Sequence, residues 1–217
     1  MNENTRTGPQ AIVVAHPLLR DRLTRLRDAT AGPGEFRRLL AEVGLLLAAR
    51  ALDDLPLAAV RVTTPIGSAA GEVLAEPLPC VVSILRAGNG LLDGFRQLLP
   101  EAPVGMIGMA RDEKTLEARR YYCKLPAGLD ERLVIVVDPM LATGHSATAA
   151  LEVLKKAGAK RLRLISVLAA PEGIAELATH HPDVPVYTAA IDDHLDHRGY
   201  IVPGLGDAGD RLYGTVE

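Results

Sequence analysis

Val134-Ile135-Val136-Val137-Asp138-Pro139-Met140-Leu141-Ala142-Thr143-Gly144-His145-Ser146 decides how this chain of 217 residues is read. Residues 134–137 are apolar and β-branched, which fits a strand buried on both faces of a parallel sheet. Asp138 stands where that strand should end. A short loop with Thr143 and Gly144 follows. A helical pattern begins near Ser146, an N-cap candidate, and runs through Thr148, Ala149, Ala150, Leu151, Val153 and Leu154. Lys155, Lys156 and Gly158 mark its end, with cations at the negative end of the helix dipole. Such a turn aims backbone N–H groups and the positive helix end at one point, which suits a phosphate. Asp138 would face the rest of that ligand, at the strand end where open α/β sheets bind. The loop is not a P-loop. That motif closes on Gly-Lys-Ser/Thr, and here Gly144 is followed by His145 and Ser146.

A second unit of the same kind lies upstream. Pro79 to Leu85 reads as a buried strand, Arg86-Ala87-Gly88-Asn89-Gly90 as a glycine loop, and Leu91 to Leu99 as a helix. An arginine at the strand end can bind a diphosphate bidentately, and small residues let the backbone approach it. Further strands are expected at residues 11–14, 58–64, 103–109, 161–168 and 185–191. A helix opens at His16-Pro17, where His16 is read as structural or capping, and runs to about Ala29. Phe36, Leu39, Leu40, Val43, Leu46 and Leu47 recur at helical spacing. The alternation predicts an α/β fold with a mainly parallel, twisted, doubly wound sheet and flanking helices. Residues 11–51 are read as an N-terminal helical arm, apolar enough to pack on the core or on a second subunit.

Length favours one domain, 1–217, that buries about 70% of its unfolded surface. Residues 1–10 are expected to be a flexible tail. The net charge of −3 leaves no footprint for non-specific nucleic-acid binding, and 3% aromatics provide few stacking platforms. Cys80 and Cys123 have neither metal-ligand spacing nor a disulfide framework, so a reducing cytoplasm is expected. No signal peptide or membrane span is read.

Residues 110–125 are polar and charged and read as a flexible flap, since a loop of that length in a compact domain is usually functional or disordered. Asp192-Asp193-His194-Leu195-Asp196-His197 looks like a metal cluster, but its spacing fits no ligand motif and the reading is structural or solvated. Gly204-Leu205-Gly206-Asp207-Ala208-Gly209 matches G-x-G-x-x-G. The dinucleotide reading is rejected, because the fingerprint needs a following helix and strand and eight residues remain. A glycine-rich loop with two acids suits backbone recognition of a planar polar ligand.

These motifs resemble those of the type I phosphoribosyltransferases, and of the uracil phosphoribosyltransferases in particular. The 134–146 stretch resembles the family's loop for phosphoribosyl diphosphate (PRPP). Leu85-Arg86-Ala87-Gly88 resembles its diphosphate loop. Arg111, with Glu113, Thr115, Leu116 and Glu117, resembles its mobile flap, departing at Ala118-Arg119-Arg120, where relatives more often carry Pro-x-Pro. Tyr200-Ile201 and Pro203 to Asp210 resemble its C-terminal hood, taken here as residues 192–217. The resemblance implies transfer of the phosphoribosyl group from PRPP to uracil, giving UMP and diphosphate. It implies Arg86, Arg111, Asp138 and Asp207 as catalytic residues. It places PRPP on Arg86, Arg111, Asp207 and the run Asp138, Pro139, Met140, Leu141, Ala142, Thr143, Gly144, His145 and Ser146. Uracil would meet Ile201, Gly206, Asp207 and Ala208, and Mg²⁺ would ride on PRPP with Asp207 as its protein contact. GTP as an effector and a homodimer or higher assembly are further implications.

A second reading is a catalytically weak paralogue that binds uracil, UMP or PRPP. Its motive is His145, where relatives normally have glycine: if that site needs φ > 0, a histidine costs about 1–3 kcal/mol. An RNA-binding attenuator is disfavoured by the acidic charge, and a purine-specific transferase by the hood.

Overall fold

The computed structural model describes residues 11–111 and 118–215. In chain order the first half holds β1 (Ala11–Val13), α1 (Pro17–Arg27), α2 (Pro33–Ala51), β2 (Leu57–Thr64), β3 (Gly67–Leu74), β4 (Cys80–Leu85), α3 (Asn89–Leu98) and β5 (Val104–Arg111). The second half holds β6 (Ala118–Lys124), β7 (Leu133–Val137), β8 (Met140–Leu141), α4 (His145–Lys156), β9 (Arg161–Ala169), α5 (Pro171–His180), β10 (Val186–Ile191), β11 (His194–Leu195), β12 (Ile201–Val202) and α6 (Ala208–Tyr213).

One sheet runs in the order β1-β10-β9-β7-β4-β5-β6, with β8 paired to β9 beyond the end of β7. Every pair is parallel except β5 with β6. The alternating side chains of the central strands feed two cores. Val81, Ile135, Val137 and Ile165 pack with α1, α2, α3 and α6 on one face. Val82, Val134, Val136 and Leu164 pack with α4 and α5 on the other. This is the doubly wound parallel arrangement that apolar strands alternating with helices predict.

The segment read as an N-terminal arm belongs to the body of the molecule. β1 is an edge strand of the sheet, paired with β10. In α2, Phe36, Leu39, Leu40, Val43 and Leu47 are fully buried against α3 and the sheet. Burying each such side chain contributes about 1.5–3 kcal/mol. His16 caps α1, its Nδ1 accepting from the Leu18 amide at 3.2 Å.

Two segments differ from the sequence expectation. Residues 67–74 form β3, which pairs with β2 in a separate hairpin turning at Pro65-Ile66. Its small residues (Gly67, Ser68, Ala69, Ala70, Gly71) carry little β propensity, so the sequence signals no strand. The flap expected over 110–125 is a loop only in part. Residues 118–124 are β6, pairing with β5 as far as Arg111↔Ala118. Prolines would remove ladder donors here, and Ala118, Arg119 and Arg120 keep them. The centre of the expected flap, 112–117, lies outside the described residues, as do the 1–10 tail and residues 216–217.

Candidate active site

β4 and β7 are adjacent, with Ser83 beside Val137. From β4 the chain moves outward to β5, and from β7 it moves the other way to β9. Helices α3 and α4, which follow them, lie on opposite faces of the sheet. The loops after β4 and β7 therefore flank a crevice at the topological switch point. Gly88 makes their approach possible: a Cβ there would stand 2.5 Å from the Val137 carbonyl oxygen and 2.6 Å from that of Ile84. Only a residue without a side chain lets the two loops share this space.

The loop after β7 is tied into the sheet at both ends. The Asp138 amide donates to Ile165 O at 3.1 Å, and Pro139 O accepts from the Val167 and Leu168 amides at 2.9 and 3.1 Å. Met140 and Leu141 then pair with β9 as β8. Gly144, not Ser146, is the N-cap of α4, at φ +83°. A Cβ on it would meet the Glu176 side chain at 2.9 Å and Gly173 O at 3.0 Å. The first helical bond runs from Thr148 N to Gly144 O at 2.8 Å. The amides of His145, Ser146 and Ala147 thus lie in the opening turn of a helix, without an intrahelical acceptor.

The φ > 0 demand feared at His145 falls on Gly144 instead. His145 is the first residue of α4, helical and exposed. A histidine is tolerated there, so the strain that motivated a weak paralogue does not arise.

Asp138 is half-buried. Burial pushes its carboxyl up to about 7, opposed only by the Met140 amide that donates to it. A carboxyl in that state ionises readily when a ligand brings donors to it.

Arg86 is exposed and held by the C-terminal helix. Its Nη2 lies 3.3 Å from Asp210 Oδ1, its guanidinium sits 5.7 Å from the Tyr213 ring centroid, and its carbonyl accepts from Tyr213 Oη at 3.1 Å. Arg111 ends β5 opposite Ala118, and its side chain lies outside the described residues.

The hood is built on the β11–β12 hairpin. Asp196 turns it, accepting from the Arg198 and Tyr200 amides at 2.9 and 2.8 Å. Asp207 caps α6 by accepting from the Asp210 amide at 2.9 Å. A Cβ on Gly209 would lie 3.2 Å from Asp207 Oδ1 and 3.8 Å from Arg86 Nη2, so both groups flank the same point.

The two halves meet in one cavity of about 410 Å³, lined by Met140 and Ala142 from the loop after β7 and by Arg198, Gly199, Tyr200, Ile201, Gly206, Asp207 and Ala208 from the hood. More than half of the chain separates Arg86 from Asp210 and Tyr213 in sequence, yet α6 brings them together. The cluster at 192–197 has other partners: Asp192 pairs with Arg27, and Asp196 holds its turn.

The Uracil phosphoribosyltransferase family model matches residues 13–215. The chain belongs to that family. It is 52% identical over 209 residues to the uracil phosphoribosyltransferase of Paracoccus denitrificans, covering 96% of this chain and 99% of that protein. It is 54% identical over 203 residues to that of Agrobacterium fabrum, covering 94% and 97%. Among solved structures, the AQ2163 protein from Aquifex aeolicus superposes with a TM-score of 0.89 at 37% identity, covering 94% of this chain and 98% of that one. The adenine phosphoribosyltransferase of Trypanosoma brucei shares the fold at a TM-score of 0.55 and 14% identity, covering 83% and 82%.

Sequence reasoning missed four side chains around this family's cavity: Arg27, Asp192 as its partner, Arg211 and Tyr213. Arg211 reaches the carbonyls of Leu26, Leu205 and Asp28 and lies 4.5 Å from the Phe36 ring centroid. The only local signal was a run of acids and arginines beside glycines. Their partners lie far away in sequence, where no motif can show them.

Proposed function

We propose that this chain transfers the 5-phosphoribosyl group of PRPP to uracil, forming UMP and diphosphate. Close kinship with uracil phosphoribosyltransferases supports the reaction. The observation that carries the site is the shared cavity, in which Met140 and Ala142 face Ile201 and Gly206 to Ala208.

In this reading Asp138 accepts from the ribose hydroxyls, and the amides from Ala142 to Ser146 hold the 5′-phosphate. Ile201 and the Gly206 to Ala208 backbone meet the acceptor–donor–acceptor edge of uracil. The bond from uracil N1 to C1′ forms as the bond from C1′ to the diphosphate oxygen breaks, and that oxygen takes the electron pair. Arg86 and Arg111 stabilise the charge that develops on the leaving diphosphate. Much of the acceleration is orientation of N1 towards C1′. The N1 proton passes to water, and no side chain is assigned as its base. Asp207, an exposed carboxylate beside Arg86, offers the hard oxygen that Mg²⁺ prefers. Mg²⁺ bound with PRPP supplies neutralisation of diphosphate charge.

A single-turnover assay with PRPP, Mg²⁺ and a panel of bases tests this. UMP from uracil is expected. PRPP binding without UMP would overturn the enzyme reading, and product from hypoxanthine but not uracil would overturn the substrate.

Assembly of two or more copies belongs to the same proposal, for a new reason. The apolar residues of α2 are used inside the molecule. The β2–β3 hairpin stands apart with Val62, Val73 and a 99% exposed Ile66, and an isolated two-stranded hairpin is marginal in water. Sedimentation equilibrium reads the assembly directly. GTP as an effector would show as a changed PRPP dependence of the rate. A reducing, cytoplasmic setting accords with two free thiols, Cys80 and Cys123; among the described residues no helix is long and apolar enough to cross a membrane.

A further inference from the structure

Arg27 closes α1, and Asp192 follows the last residue of β10. Their side chains pair bidentately, Nη1 to Oδ2 at 2.7 Å and Nη2 to Oδ1 at 2.6 Å. Both are withdrawn from solvent, at 25% and 5% side-chain exposure. Planar, two-point pairing of this kind fixes orientation as well as distance.

The pair grips one residue from both sides. Gly204 donates its amide to Asp192 Oδ2 at 2.9 Å, and its carbonyl accepts from Arg27 Nη1 at 2.7 Å. Gly204 sits at φ +61°, and a Cβ there would run into the Ile201 carbonyl. The turn it makes lies between Ile201 and Gly206, the residues that line the cavity from the hood side. Neighbouring backbone groups are satisfied too. Val202 O accepts from the Asp193 amide at 3.0 Å, and Leu205 O from Arg211 at 2.8 Å. Buried backbone groups require such partners, and here the partners come from α1, from Asp192 and Asp193 after β10 and from α6 rather than from the 201–206 turn itself.

None of these ties touches the loop after β7. That loop is held by β9 through main-chain bonds. We propose that Arg27 and Asp192 are positioning residues for the nucleobase: their ion pair sets the Gly204 turn, and with it Ile201 and Gly206 to Ala208, at the separation from the phosphate loop that the base requires. The proposal rests on the base site assigned above.

Base affinity should therefore depend on the pair, and PRPP affinity should not. Steady-state kinetics on Arg27→Lys and Asp192→Asn read this. Arg27→Lys keeps the charge and loses the fork. Asp192→Asn keeps the shape and sets an amide NH₂ against a guanidinium. The KM for uracil should rise roughly 10- to 100-fold, the scale of a misplaced positioning group. The KM for PRPP should stay within about threefold, and saturating uracil should restore most of kcat, with Asp192→Asn the stronger of the two because it removes the charge. Equal rises in both KM values, or a loss of kcat alone, would make the pair a plain structural fastener.

Hydrogen exchange at the Gly204 amide needs no variant. Protection in the free protein, unchanged by UMP, is expected, and protection that arises only with UMP overturns the brace. UMP formation by the unaltered protein tests the site reading separately. Were another base the acceptor, the same ratio of KM values would be read with that base.

Discussion

Residues 138–144 and residues 201–207 face one cavity and are fixed by different means. The first run is held by main-chain bonds to β9, by the β8 pairing and by a glycine N-cap. The second is held by arginine side chains from α1 and α6 that reach its carbonyls, and by Asp192, which accepts from the Gly204 amide. A loop held by backbone bonds varies little with side-chain chemistry. A loop hung on ion pairs can be moved, or lost, by single substitutions far from the cavity. The two halves should therefore fail differently.

Gly144→Ala should give the largest loss. It puts a Cβ at φ +83° and against Glu176 and Gly173 O. Strain of about 1–3 kcal/mol and a displaced α4 terminus should raise the PRPP KM at least tenfold, with the uracil KM changed less. Steady-state kinetics with each substrate varied in turn decide it; a selective uracil defect would reverse the assignment of the two halves.

Asp138 should give the next largest effect, and one that depends on pH. Its carboxyl, raised to about 7 in the free protein, is largely protonated below that pH. If the ionised form accepts from ribose hydroxyls, PRPP binding must release a proton there. The PRPP KM should rise about tenfold per unit as pH falls below about 7 and be flat above it. Asp138→Asn should be weak at every pH and lose that dependence, which separates it from titration of PRPP itself. The stability linkage has the opposite sense. A carboxyl raised on folding makes the unfolded chain bind fewer protons between its ordinary value and about 7, so this group's contribution falls as pH rises through that window. Melting midpoints of the two proteins between pH 5 and pH 8 check the sign.

His145→Gly should do least. His145 is a helical, exposed first-turn residue, so nothing is relieved by a glycine. The PRPP KM should change less than about threefold, the scale of a propensity difference. A tenfold rise would mean that His145 itself contacts the phosphate.

This contrast also explains what was legible in the sequence. The 134–146 unit is local: four apolar residues, an acid and a glycine within thirteen positions imply strand, turn and helix. The α2 stripe was legible for the same reason, although its destination, the core, was not. The hood's composition suggested backbone recognition of a planar polar ligand, but the rest was readable only by resemblance, because its side-chain ties run to residues 165 and more positions away. Helix start was misjudged at Ser146 because hydroxyl side chains signal caps more strongly than glycine does. β3 and β6 were missed because one is built of small residues and the other of charged ones, and neither shows an alternating apolar face.

The ties from α1 to the hood have a consequence for how the molecule is made. Arg27 waits for Asp192, and the carbonyls of Leu26 and Asp28 wait for Arg211. During synthesis from the N-terminus, the β7 unit can take its shape once β9 has emerged, but the hood cannot close until residue 211 leaves the ribosome. Closing so long a loop is slow relative to local structure. A nascent chain should thus acquire the capacity to hold a phosphate before it can hold a base, and truncation near the C-terminus should leave a folded sheet with half a substrate site.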